Sequence, residues 1–224
     1  MRKLVYIAVS VITLTLGLVS AAIWRITWQT APPKPQIQVT VIPSKTPSSM
    51  DIEAEKYAVY SALLRDMYVE NDVKLLVIQQ AECDIATPDQ APRFGADADQ
   101  WTFNQMPSLQ PDTIEQFNLE KRKCFPVTRQ LTLPVKYVIV GSKELDQVFR
   151  KQGIVSGWNA FYRRYPQSSG TIDMSNVGFN AELDQALVYT GRMCGGLCGA
   201  GHFVLLSKDE RGWKVAAKVM TWIS

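Results

Sequence analysis

The side chains with the greatest potential for chemistry stand close together near the C-terminus. Cys194, Cys198 and His202 are spaced C-x3-C-x3-H, and His202 is the only histidine of the 224 residues. Thiolates and imidazole bind zinc, so a metal site would take three ligands from this segment and a fourth from Cys83 or Cys124. The spacing differs from that of zinc fingers and ribbons, and an oxidising compartment joins such cysteines to each other. We therefore expect a disulfide here, with no metal and no cofactor.

His202 could instead be the base of a Ser-His-Asp group. Ser175 and Asp173 are two residues apart on one predicted strand, and side chains at that spacing share a face of a sheet. If this face met His202, the three side chains would form a hydrolase site. The chain has no G-x-S-x-G sequence, which marks the nucleophile of many hydrolases. A histidine that is hydrogen-bonded at a strand end is the simpler interpretation.

The four cysteines allow three pairings. Cys194 and Cys198 are flanked by glycines that can bend the backbone and bring the two sulfurs together. This leaves Cys83 and Cys124 as the second pair. We expect the disulfides Cys194–Cys198 and Cys83–Cys124.

These residues must be positioned by strands, because the C-terminal quarter alternates between apolar and polar residues and has short polar turns. Connections this short predict four antiparallel neighbours. The four predicted strands are 171–179, 185–193, 202–207 and 213–223. In the last strand, alternation predicts one face with Trp213, Val215, Ala217, Val219 and Thr221 and another with Lys214, Lys218 and Trp222.

Helical periodicity is found upstream of this run, with two short apolar segments that are typical of strands. The predicted helices are 51–69, 112–123, 142–150 and one that ends at Tyr165, and the predicted strands are 74–81 and 133–140. Trp158, Phe161, Tyr162 and Tyr165 follow helical spacing, which indicates the face that packs on the sheet. The whole predicts an α+β domain with helices on a C-terminal four-stranded antiparallel sheet.

The N-terminus reads as a membrane anchor. Leu4 to Trp24 carry no charge over 21 residues, and about 20 helical residues span a bilayer. Arg2 and Lys3 precede the run, which predicts a cytoplasmic N-terminus and a C-terminal domain outside the cytoplasm. A cleaved signal peptide is the alternative, because Val19-Ser20-Ala21 resembles a cleavage site. We expect a single-pass cell-membrane protein with an anchor (1–28), a proline-rich linker (29–50) and a domain (51–224).

The charge distribution argues against nucleic acid as a partner. The net charge is +3, but residues 1–44 hold four basic and no acidic residues, which leaves the remainder with 20 basic and 21 acidic residues. A nucleic-acid-binding domain carries a basic surface that this balance does not provide. Besides the membrane, the expected partner is a small molecule or a protein.

Several C-terminal segments resemble the ending of uncharacterised bacterial exported proteins. The segments are Gly178-Phe179-Asn180, Gln185–Tyr189, Gly199-Ala200-Gly201, Gly212–Val215 and Trp222-Ile223-Ser224. The order of elements is more loosely similar to NTF2-like domains, whose concave sheet serves as a pocket or a dimer surface. Here two strands and a long segment interrupt the helices. Neither resemblance implies a catalytic residue.

The sequence thus favours a non-enzymatic binding or interaction module held at a membrane. A hydrolase that uses His202 with Ser175 and Asp173 is one alternative. A structural protein of the cell envelope, with contacts through the acidic segment 84–112 and through exposed strand edges, is the other.

Overall fold

A mixed β-sheet organises the part of the chain that the computed structural model describes, namely residues 49–70, 72–80, 100–121, 123, 126–128, 130–150 and 153–224. All of these residues belong to the unit Pro47–Ser224. The helices within them are α1 (Ser49–Tyr68), α2 (Gln100–Asn104), α3 (Pro111–Glu120), α4 (Ser142–Arg150) and α5 (Gly153–Arg164). The strands are β1 (Leu75–Gln80), β2 (Lys136–Gly141), β3 (Ser168–Met174), β4 (Gly178–Phe179), β5 (Gln185–Gly195), β6 (Cys198–Asp209) and β7 (Gly212–Ile223).

The predicted anchor (1–28), the linker up to residue 48 and the Cys83–Cys124 disulfide lie outside the described residues. Within the described ranges, no helix is both long and apolar enough to cross a membrane.

The α+β class is confirmed, but a separate four-stranded antiparallel sheet is not. Seven strands of the described segments form one sheet in the order β2-β1-β3-β5-β6-β7, with β4 paired to β5. β1 is parallel to both β2 and β3, whereas β5, β6 and β7 are antiparallel to their neighbours. Parallel pairing needs long crossover connections, and α4 and α5 lie in the connection between β2 and β3.

One side of the sheet, here called the front face, packs against α1. Alternating strand residues Ile172, Val188 and Val204 join Leu63 and Leu64 of α1 in a buried cluster. The hydroxyl of Tyr60 donates a hydrogen bond to the carbonyl of Ser175 at 2.9 Å. α1 is therefore fixed across the centre of the sheet.

The other side, here called the back face, carries two separate groups of helices. Over β5 to β7, Phe103 and Phe117 from α2 and α3 pack on Tyr189 and Phe203. Over β1 and β2, Phe161 of α5 and Tyr165, which follows that helix, pack with Leu145 of α4 on Val77 and Val140. β3 lies between these two parts of the sheet, so its back-face residues stand between the two helix groups.

Irregularities change the strand faces that simple alternation predicts. The first predicted strand, 171–179, is divided into β3 and β4 by Ser175, Asn176 and Val177. β7 shifts register twice against β6, so Lys218 pairs with Val204 on the front face and Trp222 pairs with Gly201 on the back face. Lys218 and Trp222 were predicted to share a face, and this prediction is wrong because the bulge at Thr221, which lies between them, adds one residue.

Candidate functional site

The hairpin between β5 and β6 carries the residues that the sequence singled out. Cys194 and Cys198 form the predicted disulfide, with a Cα–Cα distance of 5.0 Å. Because each sulfur is bonded to the other, neither is a thiolate, and the alternative zinc site with His202 is not formed. In the described parts of the chain, no group of three or more His, Cys, Asp and Glu residues could hold a metal ion.

The structure does not bring together the residues of the predicted Ser-His-Asp group. His202 pairs with Thr190 across β5 and β6, whereas Asp173 pairs with Gly191 across β3 and β5. Thr190 and Gly191 are consecutive, and consecutive strand residues point to opposite faces. His202 therefore lies on the front face and Asp173 on the back face, so the sheet separates the two side chains.

The hydroxyl of Ser175 donates one hydrogen bond to the backbone and accepts another from it. It donates to the carbonyl of Asn176 at 2.9 Å and accepts from the amide of Tyr189 at 2.9 Å. The side chain is buried, with 1% of its surface exposed. Ser175 therefore closes the end of β3 and has a structural role.

Asp173 is the unusual residue of the back face. Its half-buried carboxylate lies directly over Gly191, because a Cβ on Gly191 would stand 2.5 Å from Asp173 Oδ1. Among the described residues, no side chain forms a hydrogen bond or an ion pair with this carboxylate. A larger residue at position 191 would displace the carboxylate, so the glycine is what allows Asp173 to lie flat on the sheet.

The neighbouring glycine holds a second polar pair. A Cβ on Gly201 would lie 2.1 Å from Trp222 Nε1 and 2.3 Å from the hydroxyl of Tyr189, and Trp222 Nε1 donates a hydrogen bond to that hydroxyl at 2.6 Å. Gly191 and Gly201 are cross-strand partners. Facing Cβ positions are about 4.5–5.5 Å apart, which places the carboxylate and the hydroxyl within about 10 Å of each other.

We call this group of Asp173, Tyr189, Gly191, Gly201 and Trp222 the carboxylate surface. Burial raises the pKa of Asp173 to about 6, and the bond from its own backbone amide opposes this only weakly. A carboxylate that is partly withdrawn from water and has no cation beside it is stabilised when a cation binds. The half-buried aromatic ring of Trp222 adds a further attraction for cations.

The tip of the hairpin is fixed at one side of this surface. Tyr162 on α5 donates a hydrogen bond from its hydroxyl to the carbonyl of Cys194 at 2.8 Å. Met193, next to Cys194, is partly exposed, and its sulfur would be 2.7 Å from a Cβ on Gly199. Tyr162 thus ties the hairpin to the end of α5, whereas the disulfide and Met193 make contacts within the hairpin.

Of the predicted site residues, only Asp173 belongs to the carboxylate surface, and the sequence reasoning missed its partners. The spacing of the glycines alone does not reveal them, because the turn is Gly196-Leu197 and a register shift between Met193 and Gly195 is what makes Gly191 face Gly201. Two facing glycines then leave a space that other side chains fill.

Comparison with protein-family models, curated proteins and solved structures gave no match.

Proposed function

We propose that this protein is an exported, membrane-tethered, non-enzymatic binding module that holds a cationic group of a small molecule or protein on the carboxylate surface. The observation that carries the proposal is the half-buried carboxylate of Asp173, which has no hydrogen bond or ion pair with any described side chain and a pKa raised to about 6. Titratable groups with strongly shifted pKa values cluster at functional sites, because binding and catalysis depend on such shifts.

The chemistry of the surface favours an ammonium or guanidinium group as the ligand. The carboxylate can accept charge-assisted hydrogen bonds, and the half-buried Trp222 ring offers an aromatic surface beside it. Cation–aromatic contacts contribute about 0.5–2 kcal/mol. Binding a cation would also lower the pKa of Asp173, because an opposite charge favours the ionised form.

Binding is favoured over hydrolysis because the catalytic group predicted from the sequence does not assemble. His202 is on the other face of the sheet, and the hydroxyl of Ser175 is held by two backbone groups. The tether and the location outside the cytoplasm rest on the uncharged run Leu4–Trp24 and the basic residues before it.

The proposal can be tested by titrating the full-length, 15N-labelled chain in maltoside micelles with two organic cations, agmatine and choline. We expect saturable shifts of the amide signals of Gly191 and Gly201. Because binding requires the ionised carboxylate, it should weaken as the pH falls below about 6.

Two variants make this test specific. Asp173→Asn should abolish the shifts, whereas Asp66→Asn, which changes an exposed aspartate of α1, should leave them intact. Equal shifts in wild type and Asp173→Asn, or no shift with either cation, would contradict the proposal.

A further inference from the structure

A second polar surface lies on the front face, beyond the end of α1. The helix ends at Tyr68, whose hydroxyl shares a hydrogen bond with Thr190 Oγ1 at 2.9 Å. Past this point, the front-face residues of β5, β6 and β7 are half-buried or exposed. Three of them, Arg192, His202 and Lys218, carry basic groups, and we call them the basic surface.

The register of the sheet brings these three side chains together. His202 faces Thr190 on β5 and Met220 on β7, so Arg192 and Lys218 are its diagonal neighbours on either side. Diagonal neighbours are about 7–8 Å apart or closer, within reach of long side chains. Arginine and lysine can therefore converge on the space above the imidazole.

The positive charge of this surface is poorly balanced. Glu70 lies 3.5 Å from Arg192, and within the described residues neither His202 nor Lys218 has an ion-pair partner. Burial lowers the pKa of His202, and the charges of Lys218 and Arg192 lower it further. Burial and these two cations therefore both favour the neutral form of the imidazole.

His202 also has an unused hydrogen-bonding atom. Its Nδ1 is buried and has no hydrogen-bond partner in the described part of the chain. Buried polar atoms without partners are rare in folded proteins. An imidazole whose ring is half-buried between two cationic side chains is suited to gain a proton when an anion arrives.

We propose that Arg192, His202 and Lys218 bind an oxyanion of the phosphate type, either as the free ion or as a lipid headgroup. The arginine fork and the lysine ammonium are the donors that proteins use for such groups. This site is independent of the carboxylate surface, since it is on the other face of the sheet and shares no residue with it.

Proton linkage follows from the geometry. The charged and titratable groups around His202 are Arg192 on β5, Lys218 on β7, and Tyr68 and Glu70 at and after the end of α1. An oxyanion among the first two offsets their repulsion and raises the pKa of His202. By linkage, the anion binds more tightly as the pH falls and the imidazole becomes protonated.

The test uses the fact that the chain has one histidine, so its imidazole signals are unambiguous. Full-length protein with 13C-labelled histidine is titrated with acid in maltoside micelles containing sulfate, inorganic phosphate or chloride at equal ionic strength. Sulfate and phosphate should raise the pKa of His202 by about 0.5–1 relative to chloride. Equal pKa values in all three salts would overturn the proposal.

Titrations in the presence of lipids identify the source of the oxyanion. Micelles doped with phosphatidylglycerol are compared with micelles doped with phosphatidylcholine, in chloride. A larger rise with the anionic lipid than with free phosphate assigns the site to a headgroup, and the reverse order assigns it to the free ion.

A matched pair of variants guards against a general salt effect. Lys218→Met should weaken sulfate binding by about threefold to fivefold, as expected for one partly exposed charge. Lys214→Met removes the same charge from the same strand at its other end, where Lys214 pairs with Asp209, and should leave the affinity unchanged. Equal losses in both variants would show that no specific site exists.

Discussion

The two faces of the hairpin β5–β6 differ in charge although the same strands build them. Thr190 and Gly191 are neighbours in the chain, yet Thr190 pairs with His202 and Gly191 pairs with Asp173. The front face presents basic groups beyond the end of a helix, and the back face presents a carboxylate between two groups of helices. The difference shows that a single strand can position two unrelated polar surfaces, because alternation separates their side chains.

The electrostatic cost of each surface has the same origin. Burial raises the pKa of Asp173 and lowers the pKa of His202, so in both cases the charged form is disfavoured. Each would be relieved by a ligand of the opposite charge. The two proposed sites are therefore tested by breaking one face and measuring whether the other is affected.

The largest effect on stability should come from adding a methyl group to the back face at Gly201. Gly201→Ala places a Cβ 2.1 Å from Trp222 Nε1 and 2.3 Å from the Tyr189 hydroxyl, which separates a partly buried hydrogen-bonded pair. Overpacking and the lost bond should lower the free energy of unfolding by about 2–4 kcal/mol. Chemical denaturation measures this.

Gly141→Ala is the matched control for this substitution. No atom lies within 4 Å of a Cβ at the end of β2, so its stability should stay within about 0.5 kcal/mol of wild type. If both variants behaved alike, the close packing over Gly201 would have no energetic importance.

Loss of the disulfide should have the next largest effect, and it should reach both faces. The bond closes a loop with a sequence separation of 4, for which the chain-entropy relation gives about 2 kcal/mol. Replacing Cys194 and Cys198 together with serine should lower the unfolding free energy by that amount. The double variant leaves Cys83 and Cys124 unchanged. A melting temperature equal to that of wild type would contradict the expectation.

The carboxylate of Asp173 should destabilise the fold when it is ionised. Because its pKa is about 6 in the folded protein against 3.8 in the reference state, the folded protein binds the proton more tightly. Stability should then fall as the pH rises from about 4 to 6 and remain low above that range.

Asp173→Asn should remove this part of the pH dependence. At pH 7.5 we expect the free energy of unfolding of the variant to be about 1–2 kcal/mol higher than that of wild type, after allowance for solvent screening at this half-buried position. Denaturation curves at pH 4, 6 and 7.5 check the sign. A variant that is less stable than wild type at pH 7.5 would show that the carboxylate has a stabilising partner.

The smallest effect concerns the front face alone. Glu70 competes with an anion for Arg192, at 3.5 Å, so Glu70→Gln should strengthen sulfate binding by about twofold to threefold, consistent with an exposed ion pair. The histidine titration measures the change. Binding of agmatine to the back face should remain as in wild type, and weaker sulfate binding would oppose the proposed role of Arg192.

Local features of the fold were predictable because neighbouring residues determine them. The helix 142–150 has the predicted limits, and the Cys194–Cys198 bond follows from two cysteines beside glycines. Strand partners were harder. The pairing of β1 with both β2 and β3 joins segments far apart in sequence. An apolar run such as Leu75–Ile78 does not indicate which strands it will pair with.

The arrangement of the site depends on register, which is a second reason for the errors. The bulge at Thr221 in β7 places Lys218 and Trp222 on opposite faces, and a one-residue bulge has no clear signal in this strand. The separation of His202 from Asp173 likewise depends on which residues of β5 each of them faces. Residue types indicated that the hairpin was important. Only the cross-strand pairing of β5 with its neighbours shows which side chains lie on each face.

The bond between Cys194 and Cys198 also helps to hold the register that assigns side chains to each face. A hairpin that slipped by one residue would exchange every inward side chain for an outward one, and here it would place the acidic and basic surfaces on the wrong sides of the sheet. The bond spans Cα atoms 5.0 Å apart beside the Gly195–Cys198 pair. Once it has formed, it retains the alignment in which the carboxylate and the imidazole are kept apart.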